Sequence, residues 1–438
     1  MVKTMAHAKN SNTRVTAFLG AGATLEIGGP TTKELTDAIT AEPQTLFSVG
    51  QLTSLLGAPV GQSNPLSEPT TPVPAEIGKI PLIRIIRDIL RRHYGKEADS
   101  VNFEDIFHAV ETLSSFRVGL QPDTFKLYRP AITAFARPDA PPALFDQMLL
   151  TQSANHIIET IGKHVSEGVA KFKPSDAHSW FADFWRKGLS RCPWDVASLT
   201  YDNCVEQSLS GKEVEDGFED YKAGIQKFNP SRILNTKASR TMNLHGSLLY
   251  GFPKEVDSTV DHEDLFRFEN YEKAKETWFW RSQNHAQAGD LAIAGPIITG
   301  QRKTDKLLGY PYSAYYSALQ NAIVSNRGLL IVGYSFGDLH FNRLLGRLRA
   351  LHGTNRRIVL ITYFPKSRDK WREDPGVMDW PPHQMLRFIF QASGDKRPFS
   401  MTYNNPLQSK DGCLRIYFEG FKSAIEMHGD DILTFLTS

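Results

Sequence analysis

Apolar residues follow two rhythms along this chain. Short unbroken runs occur at Val15-Thr16-Ala17-Phe18-Leu19, Val196-Ala197-Ser198-Leu199-Thr200, Leu329-Leu330-Ile331-Val332 and Arg357-Ile358-Val359-Leu360-Ile361-Thr362. Runs of this length, β-branched and bounded by glycine or polar residues, predict strands buried on both faces. Between them apolar residues recur at helical spacing. One stripe is Leu82, Ile83, Ile86, Ile89 and Leu90, and a second is Phe103, Ile106, Phe107, Val110 and Leu113. A longer one runs from Leu144 and Phe145 through Met148, Leu149, Ile157, Ile158 and Ile161 to Val165 and Val169. Helices are also predicted over 178–187, over 312–324, through Phe341, Leu344, Leu345 and Leu348, and near Ile425 to Leu436, the last after apolar stretches around Phe388 and Ile416. Leu291–Ala294 and Pro296–Ile298 read as strand pieces, and Asn243-Leu244-His245-Gly246-Ser247 as the end of another strand.

Local signals fix some boundaries. Thr31-Thr32-Lys33-Glu34 spells a capping box, with Thr31 as N-cap and Glu34 at the third position of a helix carrying Leu35, Ala38 and Ile39. Asn102 is placed to cap the helix that starts at Phe103. Arg91-Arg92-His93 before Gly95 suits a helix C-terminus better than a nucleic-acid patch. Proline crowds Asn64 to Pro74 and excludes a regular helix or a central strand there. Strands alternating with helices predict an α/β fold, a parallel Rossmann-like sheet with helices on both faces. The expected organisation is one discontinuous nucleotide-binding domain over 14–42 and 190–438, an inserted helical domain over 80–189, and a loop or linker over 43–79.

Composition narrows the class. The 438 residues suffice for two or three domain-sized units, and a 41% hydrophobic content supports a sizeable core. Fifty basic against 48 acidic residues leave a net charge of +2, without the electrostatic footprint of a nucleic-acid binder. Cys192, Cys204 and Cys413 are widely spaced and form no C-x-x-C pair, which argues against a zinc module or disulfide framework. The first thirteen residues lack an apolar signal core, and no apolar run reaches membrane-spanning length, so the expected location is the cytoplasm.

Four polar or glycine-rich segments follow predicted strands: Gly20-Ala21-Gly22-Ala23-Thr24, Thr200 to Glu206, His245 to Ser247 and Gly333 to Asn342. In an open parallel sheet, ligands bind beyond the carboxyl ends of the strands. Strand, glycine turn and helix together also suit a phosphate, because glycine lets backbone N–H groups approach an anion. Taken singly, each segment has an ordinary reading. Asp202 and Asp338 suit helix capping, His245 suits a satisfied strand end, and Gly333 and Gly337 suit plain loop punctuation.

Taken in order, the four segments resemble the sirtuin-like family, in its bacterial branch of NAD-consuming antiphage-defence proteins. Gly20, Ala21, Gly22, Ala23 and Thr24 are similar to its glycine loop. Ser198-Leu199-Thr200-Tyr201-Asp202 with Glu206 is similar to a block that usually reads Thr-x-Asn-Tyr-Asp-x-x-x-Glu. Leu244-His245-Gly246-Ser247 resembles the catalytic-histidine block, and Gly333-Tyr334-Ser335-Phe336-Gly337-Asp338 with Asn342 resembles the late Gly-Tyr-Ser-Phe-x-Asp segment. The resemblance implies NAD as substrate. The glycine loop would hold its pyrophosphate, and Gly333, Tyr334, Ser335, Asp338 and Asn342 would line the adenosine side. His245, Asp202 and Thr200 would serve the reacting centre, with His245 as general base in an NAD glycohydrolase. It further implies self-assembly and a helicase-like ATPase as partner. Two departures stand out. The zinc cysteines of the deacetylase branch are absent, so no zinc is expected. Thr200 replaces the usual asparagine, which leaves a catalytically weak NAD or ADP-ribose sensor or scaffold as the alternative reading.

Overall fold

The computed structural model describes residues 13–41, 44–45, 79–80, 82–94, 101–114, 147–222, 224–252, 265–278, 295–300, 303–307, 309–363, 383–394 and 406–438. The strands of its main sheet are β1 (Val15–Leu19), β2 (Trp194–Ser198), β3 (Val214–Glu215), β4 (Ser239–Asn243), β5 (Gly328–Val332), β6 (Arg357–Ile361), β7 (Leu407–Gln408) and β8 (Leu414–Tyr417). The helices that matter below are α1 (Thr32–Ala41), α2 (Leu82–Tyr94), α3 (Phe103–Ser114), α4 (Gln147–Lys171), α5 (Ser179–Arg191), α6 (Cys204–Ser208), α7 (Tyr312–Ser325), α8 (Leu339–Leu345) and α9 (Phe421–Thr437).

The sheet runs in the order β7-β8-β6-β5-β1-β2-β4-β3. All neighbours are parallel except β7 with β8 at one edge. From β1 the chain builds outward through β2 to β4, then crosses back to place β5 on the other flank of β1. The strand order therefore switches direction between β1 and β5, where an α/β sheet opens a crevice. Alternation along β1 explains why both faces are covered. Val15, Ala17 and Leu19 join a core with Val196, Leu330, Val332, Val359 and Ile361, against Phe181, Phe184 and Trp185 of α5 and Phe421, Ile432 and Leu436 of α9. Phe18 faces the other way, with ring centroids 4.9 Å from Tyr334 and 5.3 Å from Phe341 of α8.

Among the described residues the chain divides into two compact units, one of residues up to 29, 167–247 and 309–438, the other of 30–166 and 248–308. The first holds the sheet. α5, expected in the helical insertion, belongs with it, because its Phe181, Phe184 and Trp185 are buried in the sheet's own core. α1, expected with the sheet, belongs to the second unit instead. Thr36 Oγ1 of α1 accepts from the Phe103 amide at 3.0 Å there. In the same unit Lys303 Nζ meets Glu104 at 2.9 Å and Lys306 Nζ meets the buried Glu111 at 2.8 Å, which ties residues 303–307 to α3.

Most expected elements form. The capping box is complete: the Glu34 amide donates to Thr31 Oγ1 at 3.0 Å and the Thr31 amide to Glu34 Oε2 at 2.7 Å. Asn102 Oδ1 accepts from the Glu104 amide at 2.8 Å. Residues 296–298 form no strand. The expected strand at 291–294, Gly95, Leu144, Phe145 and all but the two ends of the expected loop fall outside the described residues. No helix among the described residues is long and apolar enough to cross a membrane.

Candidate functional site

One rung of the sheet carries the site. Val332, Leu19, Ser198 and Asn243 stand in register across β5, β1, β2 and β4. The next residues are Gly333, Gly20, Leu199 and Leu244, so all four candidate segments leave the sheet at the same level. Backbone bonds keep them together there. The Leu199 amide donates to Leu19 O at 2.8 Å, the Leu244 amide to Ser198 O at 2.8 Å and the Gly22 amide to Gly333 O at 2.9 Å.

The glycines explain how the first and last segments fit. A Cβ on Gly20 would stand 2.5 Å from Gly333 O, and one on Gly22 would stand 2.8 Å from Gly333 Cα. Gly333 has φ +59, and a Cβ there would stand 2.2 Å from the Gly22 carbonyl carbon. The three glycines thus let the loops after β1 and β5 close on one another, backbone against backbone. The expected turn-to-helix phosphate cradle is modified accordingly. After Gly20 come two short 3-10 turns, Ala21–Ala23 and Leu25–Ile27, and α1 falls in the other unit. Within the turn, the amides of Gly20, Gly22, Ala23 and Thr24 donate to backbone carbonyls. The exposed Ala21 amide donates to no group among the described residues, and neither do the amides of the exposed Ser335 and Gly337. These three are among the amides open to an outside acceptor.

The late segment is shaped from within. Tyr334 is buried, and its hydroxyl lies 2.9 Å from Asn342 Oδ1 and 3.1 Å from Asp338 O, while Asn342 Nδ2 donates to Phe336 O at 2.7 Å. Phe336 is fully buried at φ +61, a left-handed backbone that a large side chain tolerates only where its surroundings hold it. Its ring centroid lies 4.7 Å from that of Tyr334 and 4.9 Å from that of Phe388. Tyr334 and Asn342 therefore build the loop, and Ser335 and Gly337 are its outward members.

Two polar groupings result. The first is a recess of about 10 Å³, the size of one water, lined by Ser198, Thr200, Asp202, Asn203, Glu206 and Asn243 with Val196, Val205 and Thr241. Ser198 Oγ and Thr200 Oγ1 are 2.6 Å apart, and Asn243 Nδ2 donates to Glu206 Oε1 at 2.9 Å. Asp202 Oδ1 accepts from the Cys204 amide at 3.0 Å, so this carboxylate braces the entry to α6 from one residue before the N-cap, which is Asn203 and not Asp202. Burial first, then the Asp202 carboxylate, push the Cys204 thiol far up, which makes it an apolar filler and not a nucleophile. The second grouping holds His245, buried in the turn after β4, with Nε2 3.8 Å from Asp338 Oδ1 and its ring centroid 5.9 Å from that of Phe341. His245 does not line the recess. Its turn depends on Gly246, which has φ +94. Ser198, Asn243 and the Asp338–His245 contact were not singled out as site features in the sequence. Strand register is the signal that finds them, and it becomes visible only once β2 and β4 pair.

No cluster of three or more His, Cys, Asp or Glu side chains able to hold a metal occurs among the described residues. What remains is a hydroxyl-, carboxylate- and imidazole-bearing crest over the carboxyl ends of a mainly parallel α/β sheet. Residues 196–378 match the family model of the SIR2-like domain. SIR2-like domains bind NAD and are in general NAD-dependent enzymes. The match begins within β2, so Gly20–Thr24 lie outside it, although β1 is hydrogen-bonded between β5 and β2 in the same sheet. No curated protein matches the chain.

Proposed function

We propose that this protein binds NAD over the carboxyl ends of β5, β1, β2 and β4 and hydrolyses the bond between nicotinamide and ribose. The observation that carries this reading is the single rung from which all four candidate segments depart, one of them ending in a buried histidine that faces a carboxylate. Water adds to the ribose carbon as nicotinamide leaves with the bonding pair, giving nicotinamide, ADP-ribose and a proton. His245 takes the proton, from the attacking water or from a ribose hydroxyl, and the Asp338 carboxylate favours the charged imidazole that results. The amides of Ala21, Ser335 and Gly337 offer donors to the phosphates and ribose, and Thr200 and Asp202 border the reacting end. In such a site positioning and fixed dipoles supply most of the rate.

The resemblance set out above extends the proposal to antiphage defence, to self-assembly and to a helicase-like ATPase partner. A second reading has its own observation. Thr200 gives one contact of its hydroxyl to Ser198 and has no side-chain amide, which suits a sensor or scaffold that holds NAD or ADP-ribose with little turnover. Nicotinamide release from NAD by purified protein, run beside calorimetric binding of NAD and ADP-ribose, separates the two. Release at many turnovers supports the hydrolase, and binding without release supports the sensor. A chain that does neither overturns both.

A further inference from the structure

The usual amide is missing at position 200, and the structure shows what stands around the gap. Thr200 sits two residues beyond the end of β2, only 7% exposed, and Ser198 is 6% exposed. The Thr200 amide donates to Ser198 Oγ at 3.1 Å, and Ser198 Oγ lies 2.6 Å from Thr200 Oγ1. A hydroxyl has one proton to give and two lone pairs to receive. Ser198 Oγ, already accepting from the amide, is held by the backbone. It can then donate to Thr200 Oγ1 while the Thr200 proton points elsewhere, or accept from Thr200 while both Thr200 lone pairs stay open. Either way the Thr200 rotamer is set by a second hydroxyl and not by the length of its own side chain. The register of β2 keeps Ser198 opposite Leu19 on one side and Asn243 on the other, which fixes the pair at the level where the loops depart.

We infer that Ser198 is a positioning residue of this site, and that the Ser198–Thr200 hydroxyl pair together supplies the fixed polar group that a single longer amide side chain would otherwise provide. The inference rests on the reading of the crest as an NAD site. It differs from a simple turn-shaping role for Ser198 in one respect: its effect passes through the Thr200 hydroxyl.

A double-mutant cycle tests that. Wild type, Ser198→Ala, Thr200→Val and the double variant are compared for kcat and KM of nicotinamide release and for NAD affinity by calorimetry, with Ser198→Thr as the variant that keeps the hydroxyl. Thermal melting confirms that each is folded. The expected result is a loss of about tenfold in kcat for Ser198→Ala, the effect of one buried hydrogen bond, with KM within about twofold. Ser198→Thr restores most of it. Adding Ser198→Ala to Thr200→Val costs less than about threefold more, because the partner through which Ser198 acts is already gone. If wild type binds NAD without turnover, the same cycle is read in the dissociation constant, with the same pattern expected. Losses that multiply independently, or a Ser198→Ala loss that Ser198→Thr leaves in place, overturn the inference while the NAD site stands. A wild type that neither binds nor cleaves NAD removes the site reading, and the inference with it.

Discussion

The two ends of the same strands treat buried polar groups in opposite ways. Near the amino end, Thr16, Asp195 and Arg240 share one rung of β1, β2 and β4. Asp195 is fully buried and completely answered. Arg240 Nε donates to its Oδ1 at 2.6 Å, Arg14 Nη1 lies 3.5 Å from the same oxygen, and Asn326 Nδ2 donates to Oδ2 at 2.8 Å. Asn326 also reaches Thr16 Oγ1 at 2.9 Å. At the carboxyl end, Ser198, Thr200, Asp202, Glu206 and Asn243 pair locally around a recess, and His245 stands 3.8 Å from its carboxylate. A closed network of charges stiffens a scaffold. Loosely tied polar groups at a crest leave bonding capacity for a ligand. The contrast teaches which end is frame and which is tool, before any ligand is considered.

Six substitutions at five positions and one labelling experiment would break or sharpen that contrast. The largest effect is expected for His245→Ala, a loss of about 10²–10⁴-fold in nicotinamide release with little change in melting temperature. Unchanged turnover would make His245 a structural residue like those below it. Next comes Asp195→Ala, which strands Arg240 and Arg14 and should cost about 3–5 kcal/mol of stability. Chemical denaturation reads this, and NAD affinity measured well below the midpoint should stay near wild type. Gly333→Ala follows. Its Cβ would press into Gly22 at a positive φ, and overpacking of this kind costs about 1–3 kcal/mol. It should lower both stability and NAD affinity, because the frame and the tool meet at these glycines. Gly22→Val should act the same way, through Gly333 as much as through any phosphate. Thr200→Val should reduce turnover about tenfold without unfolding the protein. Thr200→Asn should keep or raise it, and equal activity in all three would place position 200 outside the reacting centre.

The smallest effect separates two thiols. Burial pushes Cys192, beside the amino-end network, up to about 11, with Arg14 opposing. At the crest both burial and Asp202 push Cys204 up. Both thiols should therefore label slowly at pH 8. As pH rises toward 11, Cys192 should begin to react while Cys204 stays silent until the protein unfolds. Equal rates would mean that the charges do not differ between the two ends as described.

Local features were the most legible in the sequence. The Thr31–Glu34 box and the Asn102 cap are bonds between residues two or three apart, so the chain spells them out. Unbroken apolar runs such as Leu329–Val332 announced the central strands. The segments after them were legible as candidates, because an open parallel sheet places ligands at strand ends. The amino-end network was not legible. Asp195 looks like a break in the apolar pattern, and the strand was expected to begin at Val196. In fact β2 begins at Trp194 and buries the charge, since its partners arrive from 45 and 131 residues away. The division between units was hidden for a similar reason. Nothing in the spacing of Phe181, Phe184 and Trp185 says which core they enter. The two-residue strands β3 and β7 carry no periodicity at all, and only their neighbours define them.

The embrace of Gly20 and Gly22 with Gly333 has a consequence for how the chain is made. β1 leaves the ribosome well before both of the strands that flank it. Its nearer partner, β2, starts at Trp194. At roughly 5–20 residues per second, β1 waits about 10–40 s before any neighbour can satisfy its backbone, and longer still before β5 closes its second edge. For that time a strand with only Thr16 polar among its five residues stands open to strangers. The crest closes only when Gly333 meets the much earlier turn at Gly20 and Gly22.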